Sequence, residues 1–125
     1  AVLAFLRASY PTPLALRDRL RLVARFLHIT NRVRAYHSQA QMLRVADALL
    51  RRAGRPGLTI VECGSAKGAS SAKLSLVARR AGARLIVCDS FRGIPPNDEH
   101  HTDMKGRPMR FRAGAFRGRL TEVQR

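Results

Sequence analysis

Glu62, Gly64, Gly68 and Asp89 stand at spacings that could hold a nucleoside-type ligand. In Val61-Glu62-Cys63-Gly64-Ser65-Ala66-Lys67-Gly68 an acid and two glycines follow a short apolar run, and Asp89 closes the next apolar run. Glycine at 64 and 68 lets the backbone turn sharply from a strand into a helix and lets a ligand approach the main chain. The helix N-terminus then offers unpaired N–H groups, with the hydroxyls of Ser65, Ser70 and Ser71 alongside. Asp89 follows about 20 residues beyond the loop, where a carboxylate can accept from both hydroxyls of a ribose. A glycine pair by itself is an ordinary turn device; the strand-end acid is what adds specificity. A dinucleotide fingerprint would read G-x-G-x-x-G around a pyrophosphate, whereas here Glu62 takes the first glycine position and gives E-x-G-x-x-x-G. A carboxylate there repels a pyrophosphate and suits a ligand bearing an ammonium or a sulfonium. S-adenosylmethionine carries both.

These residues need a frame, and the sequence supplies one. Leu58 to Cys63 is a β-branched, near-continuous apolar run, as expected of a central parallel strand buried on both faces. Gly64 to Gly68 is a turn, Ala69 to Ala81 is rich in helix formers and closes on Gly82, and Ala83 to Asp89 is the second strand. Strand, glycine turn, helix, strand is a βαβ unit with an expected right-handed crossover. Ahead of it, Ser38 with Gln41 forms a capping box, Met42, Val45, Ala46, Leu49 and Leu50 form an apolar stripe, and Gly54 and Pro56 end the helix. Leu14 to about Ala35 is a basic amphipathic helix with Leu16, Leu20, Val23, Phe26, Leu27 and Val33 near helical spacing and an expected break at Thr30-Asn31. It is expected to cover a sheet or a subunit partner, the latter in a homo-oligomer. After Phe91, glycines and prolines punctuate a polar segment that reads as one long loop, with helical character returning at Leu120 to Val123. The expected fold class is therefore α/β: a helical region over 1–55, then the first part of a Rossmann-like domain over 56–125, cut off before its remaining strands.

The composition taken alone points elsewhere. The chain has 125 residues, 24 Lys+Arg against 8 Asp+Glu, and a formal net charge of +16, which suggests phosphate or an acidic surface as partner. Only Lys67, Lys73 and Lys105 are lysines, and the arginines are scattered through every element rather than gathered in one run. Scattered arginine reads as a solvated surface before it reads as a nucleic-acid interface. No apolar stretch approaches the roughly 20 residues needed to cross a bilayer, and the opening residues lack the order of a signal peptide and read as the continuation of a longer chain. Cys63 and Cys88, each inside an apolar run, are expected to be buried thiols of a reducing compartment, which places the chain in the cytoplasm. Asp98, Glu99, His100, His101 and Asp103 resemble a ligand set in type, but a loop of this composition is usually solvated.

Glu62-Cys63-Gly64-Ser65-Ala66-Lys67-Gly68 resembles motif I of the class I S-adenosylmethionine-dependent methyltransferases. Asp89-Ser90-Phe91-Arg92-Gly93-Ile94-Pro95 is similar to the D-[ST]-F-x-G-[LI]-P signature of the macrocin O-methyltransferase family, and Phe111, Gly114, Phe116, Gly118, Leu120, Glu122 and Val123 resemble its F-x-x-G-x-[FY]-x-G-x-L-x-E-V continuation. The likeness runs from about Tyr36 to the last residue, and its second motif is the specific one. In motif I, Ala66-Lys67-Gly68-Ala69 departs from the aromatic-Arg-Gly-Gly common in the family. The resemblance implies that Gly64 and Gly68 shape a methionine-binding loop, that Glu62 lies near the methionine ammonium, that Asp89 binds the ribose hydroxyls, and that Ser90 and Phe91 lie beside the adenosine. It implies methyl transfer to a hydroxyl of a sugar or related small molecule. Characterised members use a magnesium ion, and the resemblance implies that its ligands and the catalytic base lie in later strands, outside this chain. On that reading the 125 residues alone are expected to be inactive. An RNA methyltransferase, or a basic nucleic-acid-binding module without activity, is the alternative that the charge keeps open.

Overall fold

The Ser38 capping box forms as its sequence dictates. The Ser38 hydroxyl accepts from the Gln41 N–H at 3.2 Å, and the Gln41 side chain accepts from the Ser38 N–H at 2.7 Å. This start fixes α3 (Gln39–Leu50), which follows α1 (Val2–Arg7) and α2 (Leu16–Arg32). The structure is a computed structural model that describes residues 1–103 and 105–124; Met104 and Arg125, within the predicted second region, lie outside the described residues. Beyond α3 come β1 (Thr59–Cys63), α4 (Ala69–Ala81) and β2 (Arg84–Cys88), then a short hairpin of β3 (His101–Thr102) and β4 (Pro108–Met109), and a final turn, α5 (Leu120–Val123). The result is mixed α/β.

Strands β1 and β2 pair in parallel, with Thr59 opposite Arg84 and Cys63 opposite Cys88. One apolar core lies among the helices and crosses the predicted boundary at residue 55: Phe5, Leu22, Phe26, Leu43 and Leu50 meet Leu74 and Val77 of α4. Phe26 and Val77 have no exposed surface. Arg19 ties α1 down by donating to the carbonyls of Leu6 and Leu14 at 2.9 Å, and Tyr10 donates to Asp47 at 2.9 Å. Among the described residues no helix is long and apolar enough to cross a membrane.

Four expectations need correction. Helix α2 runs through Thr30 and Asn31 without a break, and the Thr30 hydroxyl is satisfied within it by donating to the Phe26 carbonyl at 2.9 Å. Its buried face is Leu22 and Phe26, four residues apart, while Leu16, Leu20 and Leu27 of the predicted stripe are exposed. Strand β1 is covered on one face only, with Ile60 and Glu62 buried and Val61 58% exposed; Leu85, Ile86 and Val87 of β2 are half-buried, and Cys63 and Cys88 are exposed free thiols. An apolar run thus marks a strand but not the number of layers packed on it. The segment after Phe91 is not one loop, because Asp103 closes the β3–β4 turn by accepting from the N–H groups of Lys105 at 2.8 Å and Arg107 at 3.0 Å. Those bonds, the Arg107 backbone first, hold the Asp103 carboxyl below its usual range. Helix α1 lies within the helical region expected over 1–55, where the sequence assigns it no separate element.

Candidate functional site

The turn after β1 is built from glycine and from one carboxylate. Gly64 extends the strand pairing by donating to the Cys88 carbonyl at 2.8 Å. Its φ of 90° and the 84° of Gly68 then bring the chain round into α4, conformations that glycine adopts without penalty. Gly68 donates to the Ser65 carbonyl at 2.8 Å, which tightens the loop. From the end of β2, Asp89 Oδ2 accepts from the Ser65 N–H at 2.6 Å, the Ala66 N–H at 2.9 Å and the Ser65 hydroxyl at 3.2 Å, and Oδ1 accepts from the Phe91 N–H at 2.6 Å. Burial by itself pushes the Asp89 carboxyl up. The bonds from Phe91, Ala66 and Ser65 outweigh it and hold the group below the ordinary aspartate value.

Among the described residues three other than glycine take the left-handed conformation: Ala66 (φ 48°) within this loop, and Phe91 (φ 55°) and Phe116 (φ 60°). For a phenylalanine that backbone is unfavourable and persists only where its surroundings over-determine it. The surroundings here are a strap formed by residues 111–119. Ile94 donates to the Ala115 carbonyl at 2.9 Å and Gly114 donates to the Ile94 carbonyl at 2.7 Å. A Cβ on Gly93 would lie 2.6 Å from the Ala115 oxygen, and one on Gly118 would lie 1.7 Å from the Ala66 oxygen. Only glycine permits these backbone approaches. Lys67 and Glu122 face each other at 3.8 Å where α5 meets the loop.

Loop, strand ends and strap enclose a cavity of about 550 Å³, within the ~300–1,000 Å³ range of small-molecule sites. Ser65, Ser70, Asp89 and Ser90 give it polar walls, and Ile94, Pro95, Tyr36 and Phe116 give it apolar ones. The Tyr36 and Phe116 rings meet edge to face, with centroids 4.6 Å apart. Ala69 and Ser70 border it from the first turn of α4, where N–H groups have no partner within the helix. Arg34 and His37 complete one side.

Of the predicted residues, Gly64, Ser65, Ser70, Asp89 and Ser90 border the cavity. Glu62 stands behind the wall, only 9% exposed, and accepts from the Ser71 hydroxyl at 2.5 Å. Gly68 is covered by Val123. The Phe91 backbone serves Asp89. Asp89 is less free than its spacing implies: Oδ2 is saturated by the loop, and one acceptor position remains on Oδ1. The loop's own N–H groups demand an acceptor, and Asp89 lies nearer to them than the expected ribose role requires.

Tyr36, His37 and Lys73 have no site role among the sequence expectations. Lys73 has no exposed surface. The signal for it was present, since Ala69, Lys73, Val77 and Ala81 recur every fourth residue and share the buried stripe of α4. For Tyr36 and His37 there was none, because only the path of the chain before Ser38 turns them toward the loop. No family model, no curated protein and no solved structure matches the chain.

Proposed function

We propose that this chain carries the S-adenosylmethionine-binding part of a class I, Rossmann-like methyltransferase similar to the macrocin O-methyltransferase family, acting on a hydroxyl of a sugar or other small molecule. The observation that supports it is convergence. Residues 62–68, 89–95 and 111–123, separated in sequence and singled out for the likeness, come together around one cavity. The chemistry of the walls fits such a ligand. Tyr36, Phe116, Ile94 and Pro95 offer apolar area to a base, Oδ1 of Asp89 keeps an acceptor for a ribose hydroxyl, and the acids of the two strand ends disfavour a pyrophosphate.

S-adenosylmethionine supplies a sulfonium methyl that a substrate oxygen takes by in-line displacement, and the protein's share is alignment and removal of the oxygen's proton. This chain's residues contribute the alignment: Asp89 holds the loop in one shape, and the strap fixes the aromatic wall. Any magnesium ligands belong to later strands, as the family resemblance implies.

Calorimetric titration tests the reading. The chain is expected to bind S-adenosylhomocysteine and to ignore NAD, and the reverse preference overturns the proposal. A second reading, RNA as acceptor, is favoured by one observation: Arg21, Arg25, Arg79 and Arg80 line a groove between α2 and α4. Methyl transfer to RNA alone, by a complex whose affinity falls with salt as several phosphate contacts demand, would move the acceptor to nucleic acid.

A further inference from the structure

Lys73 projects from the buried stripe of α4 and is fully enclosed. Its partners are neutral. The ammonium donates to the Thr30 hydroxyl at 2.8 Å, lies 3.5 Å from His37 Nε2 and sits 5.9 Å from the centroid of the Phe26 ring. Among the described residues it forms no ion pair with a carboxylate. Burial without an anion holds the Lys73 ammonium below its ordinary value, and a negative charge brought near it would stabilise the protonated form. Glu62 is close enough to act on His37 but is engaged by Ser71.

A protonated lysine has donors only, so its approach claims the lone pair of His37 Nε2 and leaves the imidazole proton on Nδ1. His37 borders the cavity where Lys73 does not. Burial first and the Lys73 charge second hold His37 below its ordinary value, with Glu62 opposing, so the ring is neutral at pH 7. A neutral imidazole fixed in this way is a donor rather than a base.

We propose that His37 Nδ1–H, with Lys73 behind it, receives the carboxylate of the ligand's amino-acid moiety. His37 is the binding residue, and Lys73 is the positioning residue that fixes its tautomer and supplies the charge. The inference rests on the S-adenosylmethionine reading above and adds to it the group that selects a ligand with an intact amino-acid end. Arg34, exposed and set 5.4 Å from the centroid of the Tyr36 ring, is the competing cation at this side of the cavity.

The test compares S-adenosylhomocysteine with 5′-methylthioadenosine, which keeps the nucleoside and lacks the amino acid. For the 125-residue chain, His37→Phe and Lys73→Met are each expected to weaken S-adenosylhomocysteine by about tenfold or more and to leave methylthioadenosine within about twofold. His37→Asn, whose amide places a donor near the Nδ1 position, is expected to restore the preference. Nitrogen-15 spectra of the wild-type imidazole are expected to show the Nδ1–H tautomer, and Lys73→Met to release a mixture of tautomers. If both ligands bind but the variants leave their ratio unchanged, or if Arg34→Ala alone removes it, this inference falls and the proposed function stands. Failure of the wild-type chain to bind either compound overturns both.

Discussion

Around Phe26 the molecule is held by apolar area, whereas around Asp89 it is held by one carboxylate and the N–H groups that point at it. In the first region Phe26, Leu43, Val77 and their neighbours bury whole side chains from α2, α3 and α4 against one another. In the second, four short bonds converge on two oxygen atoms, and glycines keep the backbones close. The first arrangement is spread over many contacts. The second is concentrated, directional and chargeable, so it can be lost while the helices remain. A ligand cavity belongs in a region of the second kind, where atoms are fixed precisely and the surrounding scaffold does not depend on them.

Phe26→Ala strikes the distributed region and should have the largest effect. Removing a fully enclosed ring from the core is expected to cost about 3–5 kcal/mol. A urea titration followed by circular dichroism would register this as a lower midpoint for all helices together. A midpoint shift confined to the cavity region would erase the contrast.

Asp89→Asn strikes the concentrated region. The amide can no longer satisfy three donors on one oxygen, and the loss is expected to be about 2–3 kcal/mol. It should appear as faster hydrogen exchange at the Ser65 and Ala66 amides with little change in helical signal. Acid should act in the same way. The folded carboxyl lies below its unfolded value, so its contribution is complete above about pH 4 and disappears as the pH falls through the depressed folded value. If the loop amides stay protected well below that pH, the carboxylate is not what holds the loop.

Tyr10→Phe is the mildest change, and it sharpens the comparison by removing a hydrogen bond from the apolar region. Burial, then the bond to Asp47, raises the Tyr10 hydroxyl well above its ordinary value, and deletion should cost about 1 kcal/mol. Asp47 keeps Arg51 as a partner at 2.9 Å. A loss as large as that of Asp89→Asn, measured by the same urea titration, would show that the helical region also relies on single polar contacts.

The two regions also differed in how far the sequence disclosed them. The Ser38–Gln41 box, the bounds of α4 and the two strands were legible because each is specified by neighbours a few residues away. So were Gly64, Gly68 and Asp89, whose spacing is set by a single βαβ unit. What could not be read was long-range. The sealing of Gly93 and Gly118 against distant carbonyls, the arrival of Tyr36 beside Phe116 and the use of Asp89 by its own loop all depend on segments tens of residues apart. The covered and bare faces of β1 depend in the same way on where α4 comes to rest. Cys63 and Cys88 were misread for that reason: periodicity reports which residues share a face, not whether anything packs on it.

The approach of Gly118 to Ala66 has a consequence for the order in which the chain acquires its shape. The β1–β2 pairing joins residues about 25 apart, whereas the strap reaches the glycine loop across roughly twice that separation, and longer closures cost more chain entropy before any contact repays it. The βαβ unit is therefore expected to pair before the strap docks onto a loop that Asp89 has already shaped. In refolding, substitutions at Gly118 should leave the forward rate nearly unchanged and speed only the escape from the finished state.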